Sequence, residues 1–359
     1  MRVLVVKLSA LGDVVQGLVA LGRVRRLAPA DLEVEWAVDG RFAGLVEGHP
    51  WIARVHPVDF GGWLRGRGLT GARDALAALR ARPFDLVVDL QGRLKSRIIG
   101  LAAGAPRRVA YSRSEAVNPW RAGRGYAPPG APHAVDEYTR VLAAGLSVSM
   151  PVGGWVEPQA PLFPVRSEEA ARLDRVLAEA GVPPAEPLVL VLPGGAWPTK
   201  LVPVETLIAA VRPLAAEGIR PVLVWGNAEE RRLAEAIAAG LGEPPGAPRP
   251  VVMPKLTLAG LAALGARVTL TVGGDTGPLY VAAAQGSATV SVFGPTPAGR
   301  TAPRGPAHVA VQGAPPCGPC FRRRCPTGHF ICLPGVDPAD VTAAARRVLG
   351  RTGAGPRRG

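Results

Sequence analysis

Residues 1–21 read MRVLVVKLSALGDVVQGLVAL. Val3–Val6 is an unbroken aliphatic run, the pattern of a strand buried on both faces. A short loop, Lys7-Leu-Ser-Ala-Leu-Gly-Asp13, leads into a helical apolar pattern over Val14–Leu27. Strand, tight loop and helix in that order open a parallel α/β unit. The same rhythm continues with a strand at Leu32–Val38 and a helix around Phe42–Glu47. A helix over Arg73–Ala81, a strand at Leu86–Leu90 and a helix after Leu94 follow. Residues 115–132, rich in Pro, Gly and Arg, read as a long loop. Residues 151–164, PVGGWVEPQAPLFP, carry four prolines and two glycines and mark a domain boundary.

Past that boundary the rhythm restarts. Leu188–Leu192 is a strand, and a helix runs from about Pro203 to Glu217. Pro221–Trp225 and Glu229–Ala239 form the next strand and helix. Val268–Val272, a helix from Pro278, a strand at Thr289–Phe293 and a helix at Asp340–Leu349 complete the series. The expected fold class is α/β, with two doubly wound Rossmann-like domains over 1–160 and 161–340. A terminal helix and basic tail occupy 341–359. Open sheets take their ligands at the carboxyl ends of their strands, so two such domains are expected to face a cleft. The chain of 359 residues is 48% hydrophobic and 19% charged, the balance of a folded globular protein. No apolar run approaches the roughly 18 residues of a membrane span. Lys7 and Asp13 break the N-terminal apolar stretch, which favours a first strand over a signal peptide and a cytoplasmic protein.

The formal charge is +14, from 42 basic and 28 acidic residues, and only Lys7, Lys95, Lys200 and Lys255 are lysines. Abundant Arg, Ala, Gly and Pro point to a GC-rich coding habit, which accounts for much of the basicity. Residues 61–128 hold 13 basic and 4 acidic side chains, among them Arg65, Arg67, Arg93, Lys95, Arg97, Arg121 and Arg124, with Trp63 interleaved. That segment reads as a solvated basic face or as a surface for a polyanionic acceptor. Nucleic acid is not the expected partner, because no helix-turn-helix, RNP or zinc-finger pattern is present.

Four loops at strand ends carry candidate chemistry. In Lys7–Asp13, the aspartate is either a plain helix cap or a general base favoured in its ionised form by the helix N-terminus. In Pro193-Gly-Gly-Ala-Trp-Pro-Thr-Lys200, the residues Gly194, Gly195 and Ala196 let backbone amides approach a phosphate, and Lys200 supplies charge. It is equally readable as a glycine turn, and it is not a Walker A loop. In Gly273-Gly-Asp-Thr-Gly-Pro278, Thr276 and Gly277 present a hydroxyl and an amide at a helix start, and Asp275 is expected to orient backbone or sugar hydroxyls. In Trp225-Gly-Asn-Ala-Glu229, the glutamate suits a ribose diol or an ordinary first helical turn. No D-x-D occurs, which speaks against a metal-bridged donor diphosphate. Cys317, Cys320, Cys325 and Cys332 lie within 16 residues. Their spacing fits no standard zinc pattern, so free or reversibly paired thiols lead over a structural metal cluster. The cluster is read as lying beyond the functional loops.

Taken in order, the opening segment, Asp89-Leu-Gln-Gly-Arg-Leu-Lys95-Ser, Trp225-Gly-Asn-Ala-Glu229 and VGGDTGPLYVAAAQGSATVSVFGPTPAGR resemble the lipopolysaccharide heptosyltransferases of glycosyltransferase family 9. Residues 1–140, including HAVDEY, are most similar to the heptosyltransferase I branch, and the cysteine tail is more like other members. The resemblance implies a GT-B fold, an ADP-heptose donor, an anionic Kdo–lipid A or inner-core glycolipid acceptor, and inversion without metal or other cofactor. It implies an acceptor-binding first domain and a nucleotide-sugar-binding second domain, with peripheral contact at the inner membrane. It assigns Asp13 as base and Lys200, with Thr276 and Gly277, as stabilisers of the departing ADP. Glu229 would hold the ribose. Lys7, Gln91, Lys95, Trp63, Arg65 and Arg67 would face the acceptor. The chain departs from the family pattern at Gly195 and Ala196, at Val202 and at Tyr280.

Overall fold

The computed structural model describes residues 1–64, 69–111, 124–126, 133–149, 151, 154, 156–243 and 245–352. Arg65, Arg67 and Arg121 lie outside the described residues, as does the side chain of Arg124. The chain divides into two compact units, Met1–Pro164 and Val165–Gly359.

The first unit runs β1 (Arg2–Val6), α1 (Leu11–Arg25), β2 (Glu33–Asp39), α2 (Gly40–Val46) and β3 (Arg54–Val58). It continues with α3 (Phe60–Leu64), α4 (Leu69–Arg80), β4 (Leu86–Asp89), α5 (Leu94–Ala102), β5 (Arg107–Tyr111), β6 (Arg124–Tyr126) and α6 (Ala134–Leu146). The strands form one sheet in the order β3-β2-β1-β4-β5-β6, and every neighbouring pair is parallel. β1 and β4 are wholly buried, as unbroken aliphatic runs require. Their residues join Leu79, Phe84 and Ile99 in a core between the sheet and its helices. α1 buries Val14, Val15, Leu18, Leu21 and Val24. On α1 the buried Arg23 donates to Asp136 at 2.7 Å and to Glu157 at 3.0 Å, tying the helix to α6 and to the segment that follows it. Those two carboxylates hold the guanidinium above its usual range against the opposing cost of burial, the largest influence on it.

The second unit runs α7 (Ser167–Glu179), β7 (Leu188–Leu192), α8 (Val204–Ala216), β8 (Arg220–Leu223), α9 (Ala228–Leu241), β9 (Val251–Val252) and α10 (Leu258–Arg267). β10 (Leu270–Gly274), α11 (Gly277–Ala284), β11 (Ala288–Phe293), α12 (Ala298–Thr301), β12 (His308–Gln312) and α13 (Pro338–Thr352) complete it. Its parallel sheet has the order β12-β11-β10-β7-β8-β9. Counted from its own first strand, this is the order of the first unit again, and both match the dinucleotide-fold arrangement. The two switch points therefore fall between β1 and β4 and between β7 and β10.

The sequence reading missed β3, β5, β6, β9 and β12. Four of these are sheet edges, where an apolar run is not needed, and β3, β9 and β12 are only partly buried. β3 even carries Pro57, which an edge tolerates. β6 lies within the stretch read as a continuous loop over 115–132.

Candidate functional site

In the first unit, the switch point gathers the loop after β1 and the loop after β4. Asp13 stands in the first turn of α1, half-exposed, and its Oδ2 accepts the Ala10 amide at 3.1 Å. Its Oδ1 accepts the Tyr138 hydroxyl at 3.0 Å. The same hydroxyl accepts from Lys7 Nζ at 2.7 Å, and Lys7 Nζ lies 3.9 Å from Asp13 Oδ1. Burial, then the Asp13 charge, holds the Tyr138 hydroxyl well above its ordinary pKa, so it remains a neutral donor. Lys7 is only 4% exposed. The ammonium is turned to Tyr138 and Asp13 within the unit. Lys7 supports Asp13 from beneath, through Tyr138.

Gln91 and Lys95 converge on the same loop. Gln91 Oε1 accepts the Leu8 and Ser9 amides at 2.7 and 3.1 Å, and Lys95 Nζ donates to Ser9 Oγ at 2.9 Å. Beneath them, the buried Asp89 accepts the Gln91 amide, the Gly92 amide and the Ser96 hydroxyl at 2.9, 3.0 and 2.9 Å. Burial pushes the Asp89 carboxyl up, and those three donors oppose the shift. Gly92 turns at φ +60°, and a Cβ there would lie 2.2 Å from the Tyr111 carbonyl oxygen, so glycine is required. Trp63 stands apart from this group, on α3 at the rim of the core against Phe60.

In the second unit, the switch point gathers 193–200 and 273–278. Lys200 Nζ donates to Asp275 Oδ2 at 2.6 Å and lies over the Trp197 ring at 4.3 Å. Asp275 is buried and also accepts Thr296 Oγ1 at 2.8 Å and Tyr280 OH at 2.7 Å. Its visible partners are therefore a lysine and two protein hydroxyls. Thr276 caps the start of α11 without spending its side chain on the cap, and Gly277 follows at the first helical position. Val202, where the family pattern differs, is a core residue of this unit. Gly194 leaves room for Glu230, since a Cβ would sit 2.5 Å from Glu230 Cδ. Glu230 Oε2 accepts the Gly226 amide at 2.7 Å, whereas Glu229 is exposed and its amide donates to Asn227 Oδ1 at 3.0 Å. Gly195 and Ala196 are half-buried and exposed in the same loop.

The cysteine segment lies closer to this loop than the sequence reading held. Thr199 Oγ1 donates to the Arg322 carbonyl at 2.7 Å, and Arg323 stacks on Trp197 at 5.2 Å. The four cysteines are free thiols. Among the described residues, no group of three or more His, Cys, Asp or Glu side chains is placed to hold a metal ion. Cys325 is held down at about 7, chiefly by hydrogen bonding from Thr327, while burial raises Cys332.

The model of glycosyltransferase family 9 (heptosyltransferase) matches residues 73–331. The chain belongs to glycosyltransferase family 9. This family 9 glycosyltransferase is similar to lipopolysaccharide heptosyltransferase 1 of Pseudomonas aeruginosa, at 32% identity over 90% of the chain and 87% of the relative. With the enzyme of the same description from Escherichia coli K12 it shares 28% identity over 83% of the chain and 89% of the relative. The structure of E. coli heptosyltransferase WaaC with ADP aligns at a TM-score of 0.72 and 25% identity, covering 97% and 100% of the two chains. A family 9 glycosyltransferase from Veillonella parvula gives 0.81 at 20% identity, covering 98% and 97%, a likeness of fold. The family 9 chain therefore has the expected α/β, GT-B architecture of two Rossmann-like domains. Among its described residues, no helix is long and apolar enough to cross a membrane.

Tyr138, Asp89, Glu230 and Thr296 were not assigned from sequence. Asp89 and Tyr138 stand inside segments that carried the family resemblance, Asp89 two positions before Gln91. Thr296 stands inside the resemblance segment that ends at Arg300 and Glu230 directly follows Glu229, but only the folded chain shows what each binds.

Proposed function

We propose that this protein is an inverting heptosyltransferase that moves heptose from ADP-heptose to the anionic Kdo region of lipid A. The observation that carries the reading is Asp13, a half-exposed carboxylate at a switch point with one oxygen oriented by the buried Lys7–Tyr138 pair. In a single displacement, Asp13 takes the proton of the acceptor hydroxyl. The acceptor oxygen bonds to the anomeric carbon as the bond from that carbon to the ADP oxygen breaks. Charge then builds on the leaving diphosphate. Lys200, steered by Asp275, and the Thr276–Gly277 start of α11 stabilise it, and the Gly194–Ala196 loop cradles it. The scheme calls on no metal. Glu229 or its neighbour Glu230 holds the ribose. Gln91 and Lys95 set the acceptor loop, and the basic segment with Trp63, Arg65 and Arg67 meets the acceptor's phosphates and carboxylates. Such an acceptor places the enzyme at the inner face of the cytoplasmic membrane.

The test is incubation of the purified protein with ADP-heptose and Kdo–lipid A, following ADP release and the mass of the acceptor. The expected result is one heptose gained per ADP released, undiminished by chelator. Transfer from UDP- or GDP-sugars with none from ADP-heptose would overturn the donor. A wild-type rate in Asp13→Asn would overturn the base.

A further inference from the structure

Helix α5 is apolar on two opposite sides. Ile99 is buried against the core, and Gly100 packs so closely that a Cβ would meet Val87 at 3.2 Å. On the other side Leu94, Ile98 and Leu101 are 62%, 41% and 38% exposed. Their spacing of four and three residues lines them along one stripe. Single exposed leucines are commonplace, but a helix of nine residues with a second apolar face has a use for it.

The surroundings of the stripe give its chemistry. Arg93 is exposed at the N-terminal end of α5, and Arg97 lies on the same side as the stripe. The exposed Arg80 donates to the Ala102 carbonyl at 3.1 Å, at the C-terminal end. The sequence of α5, LKSRIIGLA, contains no acidic residue. Apolar side chains rimmed by guanidinium groups match a bilayer bearing anionic lipid, with the stripe in the acyl boundary and the cations among phosphates. A second copy of this face would oppose arginines to arginines, which disfavours a symmetric self-contact. Lys95, on the same helix, bonds Ser9 in the loop that leads into Asp13.

We propose that α5 is the element by which this protein docks on an anionic phospholipid surface, holding its acceptor loops at the level of a glycolipid head group. The link to the acceptor rests on the function proposed above, and the docking itself does not. The experiment is co-sedimentation of the full-length protein with vesicles of phosphatidylglycerol and phosphatidylethanolamine that contain no glycolipid, with pure phosphatidylcholine vesicles alongside. The wild type binds the anionic vesicles, binding falls as salt rises, and phosphatidylcholine retains little. Leu94→Gln with Ile98→Gln lowers the partition coefficient roughly tenfold or more. Its circular dichroism and its turnover of an acyl-free Kdo acceptor stay as in the wild type. Leu94→Gln alone, at the most exposed position, gives a smaller loss in the same direction.

Equal binding by wild type and double variant, or no binding by the wild type to anionic vesicles, would overturn the proposal. So would a wild-type dimer that the double variant dissociates in sedimentation velocity, since a second copy would then own the face. A chain that binds vesicles through α5 and fails to turn over ADP-heptose leaves the docking standing and removes the reaction.

Discussion

Asp13, Tyr138 and Lys7 form a chain of three groups in which only the carboxylate reaches solvent. Asp13→Asn keeps the shape and removes the proposed base, so kcat should fall by about 10²–10⁴ while ADP binding persists in calorimetry. Tyr138→Phe removes one oxygen. It deprives Asp13 Oδ1 of the Tyr138 donor and Lys7 of its 2.7 Å acceptor, leaving Lys7 the longer 3.4 Å bond to the Leu90 carbonyl, and losing a buried hydrogen bond to a charged group costs about 1–3 kcal/mol. The expected outcome is a kcat about tenfold lower at unchanged donor KM, with a lower urea midpoint. A third prediction concerns Cys325, whose thiol is held down at about 7. Near neutral pH roughly half of it is thiolate, so alkylation by iodoacetamide, followed by peptide mass spectrometry, should label Cys325 well before Cys332.

Strands and loops have different claims on the sequence. β1, β4, β7, β10 and β11 are buried on both faces, and burial demands a run of aliphatic residues that a reader can see. β3, with Arg54, His56 and Pro57, answers to no such demand and was passed over. The loops after β1, β7 and β10 were legible because glycine, charge and a helix start coincide there. Their internal wiring was not. Asp275 was expected to orient backbone or sugar hydroxyls, and nothing in the sequence marked its protein partners Lys200, Tyr280 and Thr296, separated from it by 75, 5 and 21 residues. Lys7 was expected to face the acceptor, and only the packing of α6 shows it buried against Tyr138. At this scale Gly274→Ala is informative. A Cβ would lie 2.7 Å from the Lys200 carbonyl oxygen, so the backbone that carries Lys200 has to shift. Stability should fall by about 1–3 kcal/mol by urea titration. On the role proposed for Lys200, transfer should fall by tenfold or more, because small displacements of a charge-stabilising group are costly.

The stability of the whole molecule should depend on pH through its buried imidazoles. His49 is 2% exposed, set between Trp51 and Phe163, and burial pushes it down to about 4. In the unfolded chain the same group titrates near 6.5. The unfolded state therefore binds the extra proton first. Stability is full above about pH 6.5 and drains away as pH falls towards 4, by an amount on the order of 3 kcal/mol from this residue. His56 is lowered in the same direction, mainly by burial. Urea midpoints measured between pH 7.5 and 4.5 should fall steeply, and His49→Gln should flatten the slope. Each half of the molecule also has its own timetable. The Lys7 ammonium finds its hydroxyl 131 positions later, on the last helix of its unit. On the ribosome, the loop after β1 thus emerges long before the hydroxyl that its lysine binds in the finished unit. Any shortened version of that half that stops before residue 138 should leave the exit tunnel unable to close its own centre.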